Sequence, residues 1–217
     1  MNKFEEMSQL LQSGQAKQLA ALVTEQLEAG ADAKEILTQG LIAGMTAVGI
    51  KFKANEIFVP EVLIAARAMN MALAALHSAL AAAGVEPIGK AVICTVKGDL
   101  HDIGKNLVKM MLEGRGISVI DLGTDCSAET VVEAVKNTGA QLVCLSALLT
   151  TTMLYQKEII EALAKEGLRD KVKVMVGGAP LSQQFADSIG ADAYTPDAAS
   201  ASECAEAFLR GERYEYV

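Results

Sequence analysis

Tryptophan is absent from this 217-residue chain, and all aromatic residues together make up 4% of it. Half of the residues are nonetheless hydrophobic, so Ala, Leu, Val, Ile and Met must fill the interior. Such a composition suits helices and buried parallel strands. Cysteine is sparse: Cys94, Cys126, Cys144 and Cys204 lie far apart, with no CxxC pair. That spacing argues against disulfides and a structural zinc site, and the four read as small buried hydrophobes. Positive charge is also in short supply. The net charge is −8, with both signs mixed along the chain, which argues against a nucleic-acid surface or a polybasic membrane anchor. No apolar run is expected to span a bilayer, and the start MNKFEEMSQLLQSG lacks the apolar core of a signal peptide. The expectation is a soluble, cytoplasmic protein. Only two histidines occur, His77 and His101.

Residues 1 to about 83 carry helical patterning alone. The segments are roughly 2–12, 15–29, 33–53 and 58–83, separated by Gly14, by Gly30-Ala31-Asp32 and by the turn before Pro60. Val62, Ala66, Met69, Leu73, Leu76 and Leu80 recur at alternating spacings of four and three, as do Leu37, Leu41, Gly44 and Val48. Gly40 and Gly44 suit the close approach of a neighbouring helix. Asp32 is placed to cap the third helix, with Glu35 completing a capping-box pattern. Four segments with short connections predict a four-helix bundle. His77 falls off the main stripe and reads as a plain surface or boundary residue.

The stretch 84–89, Gly-Val-Glu-Pro-Ile-Gly, is the natural linker, dividing the chain into 1–88 and 89–217. After it the period changes. Short apolar runs at 90–96, 118–122, 141–145, 172–176 and 193–194 alternate with amphipathic stretches near 103–115, 127–138, 153–167, 181–189 and 199–210. This alternation predicts a five-stranded parallel sheet covered on both faces, in the flavodoxin-like order 2-1-3-4-5.

In such a sheet ligands bind beyond the carboxyl ends of the strands, where the winding reverses. The loops after the first, third and fourth strands should meet there. The first contains Asp99-Leu100-His101-Asp102-Ile103-Gly104 where a phosphate-binding loop would carry several glycines. A neutral imidazole is a good metal ligand, and a carboxylate on its other nitrogen sets the tautomer and raises basicity. The plainer reading is a surface loop whose aspartate caps the next helix. The second loop, 145–152, packs Ser146, Thr150, Thr151 and Thr152 behind a buried strand, either as helix caps or as a polar slot. The third has Gly177 and Gly178, which suit either a turn or a flat ligand pressed against backbone.

Taken in order, Asp99-x-His101-x-x-Gly104, then Ser146-x-Leu148, then Gly177-Gly178, resembles the DxHxxG…SxL…GG signature of cobalamin-binding domains. The stretch from Phe52 to Pro60, followed by an Ala- and Met-rich helix, resembles the helical cap of the methionine-synthase type. The likeness covers nearly the whole chain, which looks like a stand-alone corrinoid protein of the methylamine, methanol or related methyltransferase systems. It implies a four-helix bundle cap followed by a flavodoxin- or Rossmann-like binding domain. It also implies a cobalamin, methylcobalamin or a related corrinoid, with its own lower base displaced and His101 on cobalt. Asp99 would stand behind the imidazole, and Thr152 would hold the place of the family's relay serine. Asp102, Ile103, Gly104, Ser146, Leu148, Thr150, Gly177 and Gly178 would meet the cofactor and its nucleotide tail. Phe52 and Val59 would cover the methyl-bearing face. The resemblance further implies a methyl carrier without catalysis of its own. It would serve a substrate-specific methyltransferase and an acceptor-side one, with a reductive activation protein as a further partner. An adenosylcobalamin mutase subunit, a cobalamin-dependent sensor and a flavodoxin-like FMN binder are the alternatives.

Overall fold

The computed structural model describes residues 2–212 and 214. These form two compact units. One holds the residues up to Pro87 together with Gly114–Gly116; the other holds Ile88–Glu113 and the residues from Ile117 on.

The first unit is helical. Helix α1 (Lys3–Gln12) starts at a capping box in which the Asn2 side chain accepts the Phe4 N–H and Glu5 accepts the Asn2 N–H. Helix α2 spans Ala16–Glu28. The third expected helix is continuous but not uniform: α3 (Ala33–Glu35) runs into a π-helical stretch (Ile36–Ile42) and then α4 (Ala43–Lys53). Asp32 caps it as expected, accepting the N–H groups of Lys34 and Glu35 at 2.7 and 3.0 Å. The reciprocal arm does not form; the Glu35 carboxylate instead accepts from Gln39 one turn on. The wide π turn places Ile36 and Leu41, five residues apart, in the core together. Gly40 and Gly44 allow close approach, and the neighbour is α1. An ideal Cβ on Gly40 would lie 3.0 Å from Met7 Sδ, and one on Gly44 would lie 3.3 Å from Ser8 Cα.

Helix α5 (Val59–Ala82) has Pro60 in its first turn, while Glu61 accepts the Phe58 N–H. Contrary to the sequence expectation, this one helix among the described residues is long and apolar enough to cross a membrane. Its alanine-rich composition raises the mean hydropathy all round. Val62, Ala65, Ala66, Ala68, Met69, Ala72 and Leu76 are nevertheless buried, and α2 packs along it, as befits a bundle core helix. His77 is exposed.

The second unit alternates β1 (Gly89–Thr95), α6 (Ile103–Gly114), β2 (Ile117–Asp121), α7 (Ala128–Thr138), β3 (Leu142–Ser146), α8 (Leu154–Lys165), β4 (Lys173–Gly177), α9 (Gln183–Ile189), β5 (Ala193–Tyr194) and α10 (Ala198–Leu209). All pairings are parallel and the order is β2-β1-β3-β4-β5, as the sequence predicts. Alternate strand residues feed two apolar layers. Val92, Cys94, Val143, Leu145, Val174 and Val176 pack with α7, α8 and α9. Ala91, Ile93, Leu142, Cys144, Met175 and Ala193 pack with α6 and α10. The four cysteines are free and buried; burial raises Cys144 and Cys204 to about 12, so both are neutral thiols.

Candidate functional site

The reversal of winding falls at β1 and β3, and the loops beyond their carboxyl ends are stitched together by backbone hydrogen bonds. Val96 N–H donates to Ser146 C=O at 3.0 Å, and Ala147 N–H donates to Gly177 C=O at 3.2 Å. The ladder thus continues past the strand ends and brings all three expected loops to one place. Gly178 is required by this closure. Its φ is +138°, and a Cβ there would lie 1.8 Å from the Ala147 carbonyl oxygen.

Asp99 is fully buried, yet its carboxylate receives five donors. Oδ1 accepts His101 Nδ1–H at 2.7 Å and the His101 backbone N–H at 3.1 Å. Oδ2 accepts the N–H groups of Leu148 (2.8 Å) and Leu149 (3.3 Å) and the Thr152 hydroxyl (2.7 Å). Burial alone would push this carboxyl up. The bonds from the His101 N–H, the Thr152 hydroxyl, the His101 ring and the Leu148 N–H outweigh it and hold Asp99 below the usual carboxylate range. The Thr152 hydroxyl has a single proton and also lies 3.0 Å from Leu149 C=O. That carbonyl already accepts the N–H groups of Thr152 and Met153, so the proton belongs to the nearer, charged Asp99.

An ionised carboxylate only accepts, so the Nδ1 of His101 must carry the proton. The Nε2 lone pair is then free, on a ring whose side chain is 53% exposed. The same loops expose apolar side chains: Leu100 (73% exposed) and Ile103 (77%) flank His101 in the chain, and Leu148 and Leu149, whose N–H groups reach Asp99, are also exposed. Among the described residues no three of His, Cys, Asp and Glu gather into a metal cage. His101 therefore suits a metal that arrives with its other ligands already attached. The exposed apolar rim suits a broad, flat body around that metal. A corrin meets both requirements.

The remaining expected residues fall in two groups. Ser146 ends β3 half-buried, and Thr150 is exposed in the loop beyond. Asp102 and Ile103 lie at the start of α6, where the Asp102 carboxylate accepts the Asn106 amide at 3.0 Å. A Cβ on Gly104 would meet nothing within 4 Å, so the space beside it is open. Phe52 and Val59, by contrast, belong to the helical unit: half-buried Phe52 lies near the end of α4, and half-buried Val59 begins α5. Phe58 beside them is 62% exposed.

Sequence reasoning passed over the end of β2. There Asp121 receives Lys105 Nζ at 2.7 and 2.8 Å and the Gly123 N–H at 2.9 Å. Lys105 is almost wholly buried, and Asp121 is the carboxylate that pairs with it. Asp125, at φ +55°, accepts the Gly98 N–H at 2.7 Å. The residue signal was the run Asp121-Leu122-Gly123-Thr124-Asp125, two acids around a turn glycine.

Family models place one B12 binding domain over residues 89–203 and another over 3–77. A corrinoid protein of Desulfitobacterium hafniense is 42% identical over 212 residues, 96% of this chain and 98% of its own. The dimethylamine corrinoid protein of Methanosarcina barkeri is 43% identical over 194 residues, 89% of this chain and 91% of its own. Among solved structures, the methanol:cobalamin methyltransferase complex of Methanosarcina barkeri superposes with a TM-score of 0.86 at 29% identity, covering 96% of this chain and 80% of that one. A lone imidazole backed by a buried carboxylate, a doubly wound sheet after a helical unit, and these relatives agree: the chain belongs to the B12-binding corrinoid proteins, and its cofactor is a corrinoid.

Proposed function

We propose that this protein carries a methyl group on its corrinoid from a substrate-specific methyltransferase to an acceptor-side methyltransferase. When bound, the corrinoid supplies a cobalt centre that accepts and releases the methyl group. The residues of the chain hold and tune that centre. His101 Nε2 would be the protein ligand on cobalt. Asp99 keeps the proton on Nδ1, and Thr152, with the Leu148 and Leu149 amides, keeps Asp99 charged. Gly104, Ser146, Thr150, Gly177 and Gly178 would accommodate the nucleotide tail, Leu148 would help wall the tunnel that it enters, and Asp102 and Ile103 would contact the cofactor. Residues 1–88 act as the cap and 89–217 as the binding domain, with Phe52 and Val59 covering the methyl face. The protein does not complete a turnover alone and works in the cytoplasm. Relatives named as a dimethylamine corrinoid protein and as part of a methanol:cobalamin methyltransferase complex support this division of labour.

The observation that carries the reading is the exposed His101 imidazole, whose Nδ1 is tied to a five-donor buried carboxylate. His101→Ala is the test of the ligand. Cobalamin bound to the wild type should show nitrogen coordination, and the variant should lose it; identical spectra would refute the assignment. The carrier role predicts negligible multiple turnover by the purified chain with free methyl donors and thiols. Methyl transfer should appear only when partner methyltransferases are added, and steady turnover without them would overturn the role.

A further inference from the structure

We propose that Asp125 and Thr95, which lie outside the three loops that hold the site, are positioning residues that set the pose of His101 through the backbone. The inference rests on His101 being the cobalt ligand. After β2 the chain turns back onto the end of β1: Thr95 N–H donates to Gly123 C=O at 2.9 Å, and Cys126 N–H donates to Thr95 C=O at 3.1 Å. Asp125 sits inside this turn. It is one of two described non-glycine residues with positive φ, a conformation unfavourable for side chains though least so for Asn and Asp.

That conformation aims two groups of Asp125 at the histidine loop. Its N–H donates to Asp99 C=O at 3.0 Å, and its Oδ1 accepts the Gly98 N–H at 2.7 Å. From the other side, the fully buried Thr95 donates its hydroxyl to His101 C=O at 2.8 Å. The Asp99 N–H donates to Val96 C=O at 3.1 Å, and the His101 N–H goes to the Asp99 carboxylate. Five backbone groups of Gly98, Asp99 and His101 are therefore tied.

The consequence follows from how little else holds the imidazole. Among the described residues its ring is hydrogen-bonded at Nδ1 alone, and its side chain is 53% exposed. The direction of Nε2 is then set by two positions, those of the Asp99 carboxylate and the His101 backbone. Leu148, Leu149 and Thr152 hold the first; Thr95 holds the second directly, and Asp125 holds the Gly98–Asp99 backbone that leads into it. A loop fixed in advance loses no freedom when its ligand arrives, so the clamp strengthens the bond to cobalt.

The test uses the full chain loaded with cyanocobalamin and titrated with cyanide, followed by absorption. Added cyanide takes the lower cobalt position, and the imidazole leaves with its lone pair, without oxidation or reduction. The midpoint therefore reports the strength of the His101–cobalt bond. Asp125→Gly keeps the freedom of φ but loses the acceptor, and should lower the midpoint about three- to tenfold, the effect of one net hydrogen bond. Asp125→Asn keeps an acceptor oxygen and tolerates positive φ, so it should stay within about twofold of the wild type. In the cofactor-free chain the Gly98 amide should exchange faster in Asp125→Gly than in Asp125→Asn. Thr95→Val should lower the midpoint and Thr95→Ser should not. Asp125 is exposed, so its substitution leaves the core untouched.

An Asp125→Gly midpoint equal to wild type overturns the inference, as does an equal fall in Asp125→Asn. An unchanged Thr95→Val midpoint overturns the part assigned to Thr95. His101→Ala separates this from the underlying reading. If wild-type cobalamin shows no nitrogen ligand, the His101 assignment fails. If it does and Asp125→Gly titrates like wild type, only the clamp fails.

Discussion

Replacing Thr152 with valine removes one hydroxyl from the five-donor carboxylate of Asp99 while keeping the side-chain shape. The lost bond, at 2.7 Å, runs between a nearly buried hydroxyl and a fully buried charge. Hydrogen bonds to charged groups contribute about 1.5–3 kcal/mol. The lower end applies, because Asp99 retains the Leu148 and Leu149 amides and both bonds from His101. Leu149 C=O loses nothing, since two backbone N–H groups already serve it. Thr152→Ser provides the contrast. It keeps the hydroxyl and deletes one methyl from a buried side chain, at a cost of about 0.8 kcal/mol. Urea unfolding of the cofactor-free chain, followed by far-ultraviolet circular dichroism, should rank wild type above Thr152→Ser and Thr152→Ser above Thr152→Val, at constant slope. Nitrogen shifts of His101 should still report a protonated Nδ1 in the valine variant, because Oδ1 is untouched. Thr152→Val as stable as Thr152→Ser would refute the reasoning, since the hydroxyl would then have no bond worth keeping.

Asp99→Asn should weaken cobalamin affinity about 10–100-fold, measured by spectral titration, because an amide is a weaker partner for the ligand imidazole; unchanged affinity would remove Asp99 from its role. Gly178→Ala should destabilise the cofactor-free chain by about 3 kcal/mol or abolish folding, given the 1.8 Å clash with the Ala147 carbonyl oxygen. A near-neutral urea midpoint would contradict that closure of the loops. Acid should also act through Asp121. Burial raises this carboxyl, but the Lys105 hydrogen bond, the Gly123 N–H and the charges of Lys105 and Lys109 together lower it. A depressed carboxyl contributes stability above its unfolded value of about 3.9 that is lost as pH falls through the folded one. Glu113 opposes it: burial, then Asp121, raises its carboxyl, while Lys109 lowers it. Asp121→Asn should therefore lower stability at neutral pH and flatten its fall below about pH 4, as read by urea midpoints across that range.

The order of helices and strands, the sheet order and the pairing of His101 with a nearby carboxylate were legible in the sequence alone. A period of 3.6 marks helices and short continuous apolar runs mark buried parallel strands, both from neighbouring residues alone, which is why the five expected strands match those observed within one residue at each end. Asp99 and His101 were legible because they are two residues apart, so their contact is local. What lies far along the chain was not legible in the same way. That Thr152 reaches Asp99 followed from a family resemblance, but the charge on Asp99, and with it the free Nε2, depends on donors 49 to 53 residues away. The π turn at Ile36–Ile42 depends on packing against α1, which no periodicity within the helix records. Asp125 is the clearest case. Its side chain reads as an ordinary turn residue, and only the pairing of β1 with β2 brings it, 27 positions on, to the Gly98 amide. Local chemistry is written in spacing, whereas the fields and clamps that tune it arise from pairings between distant segments, and those exist only once the sheet has formed.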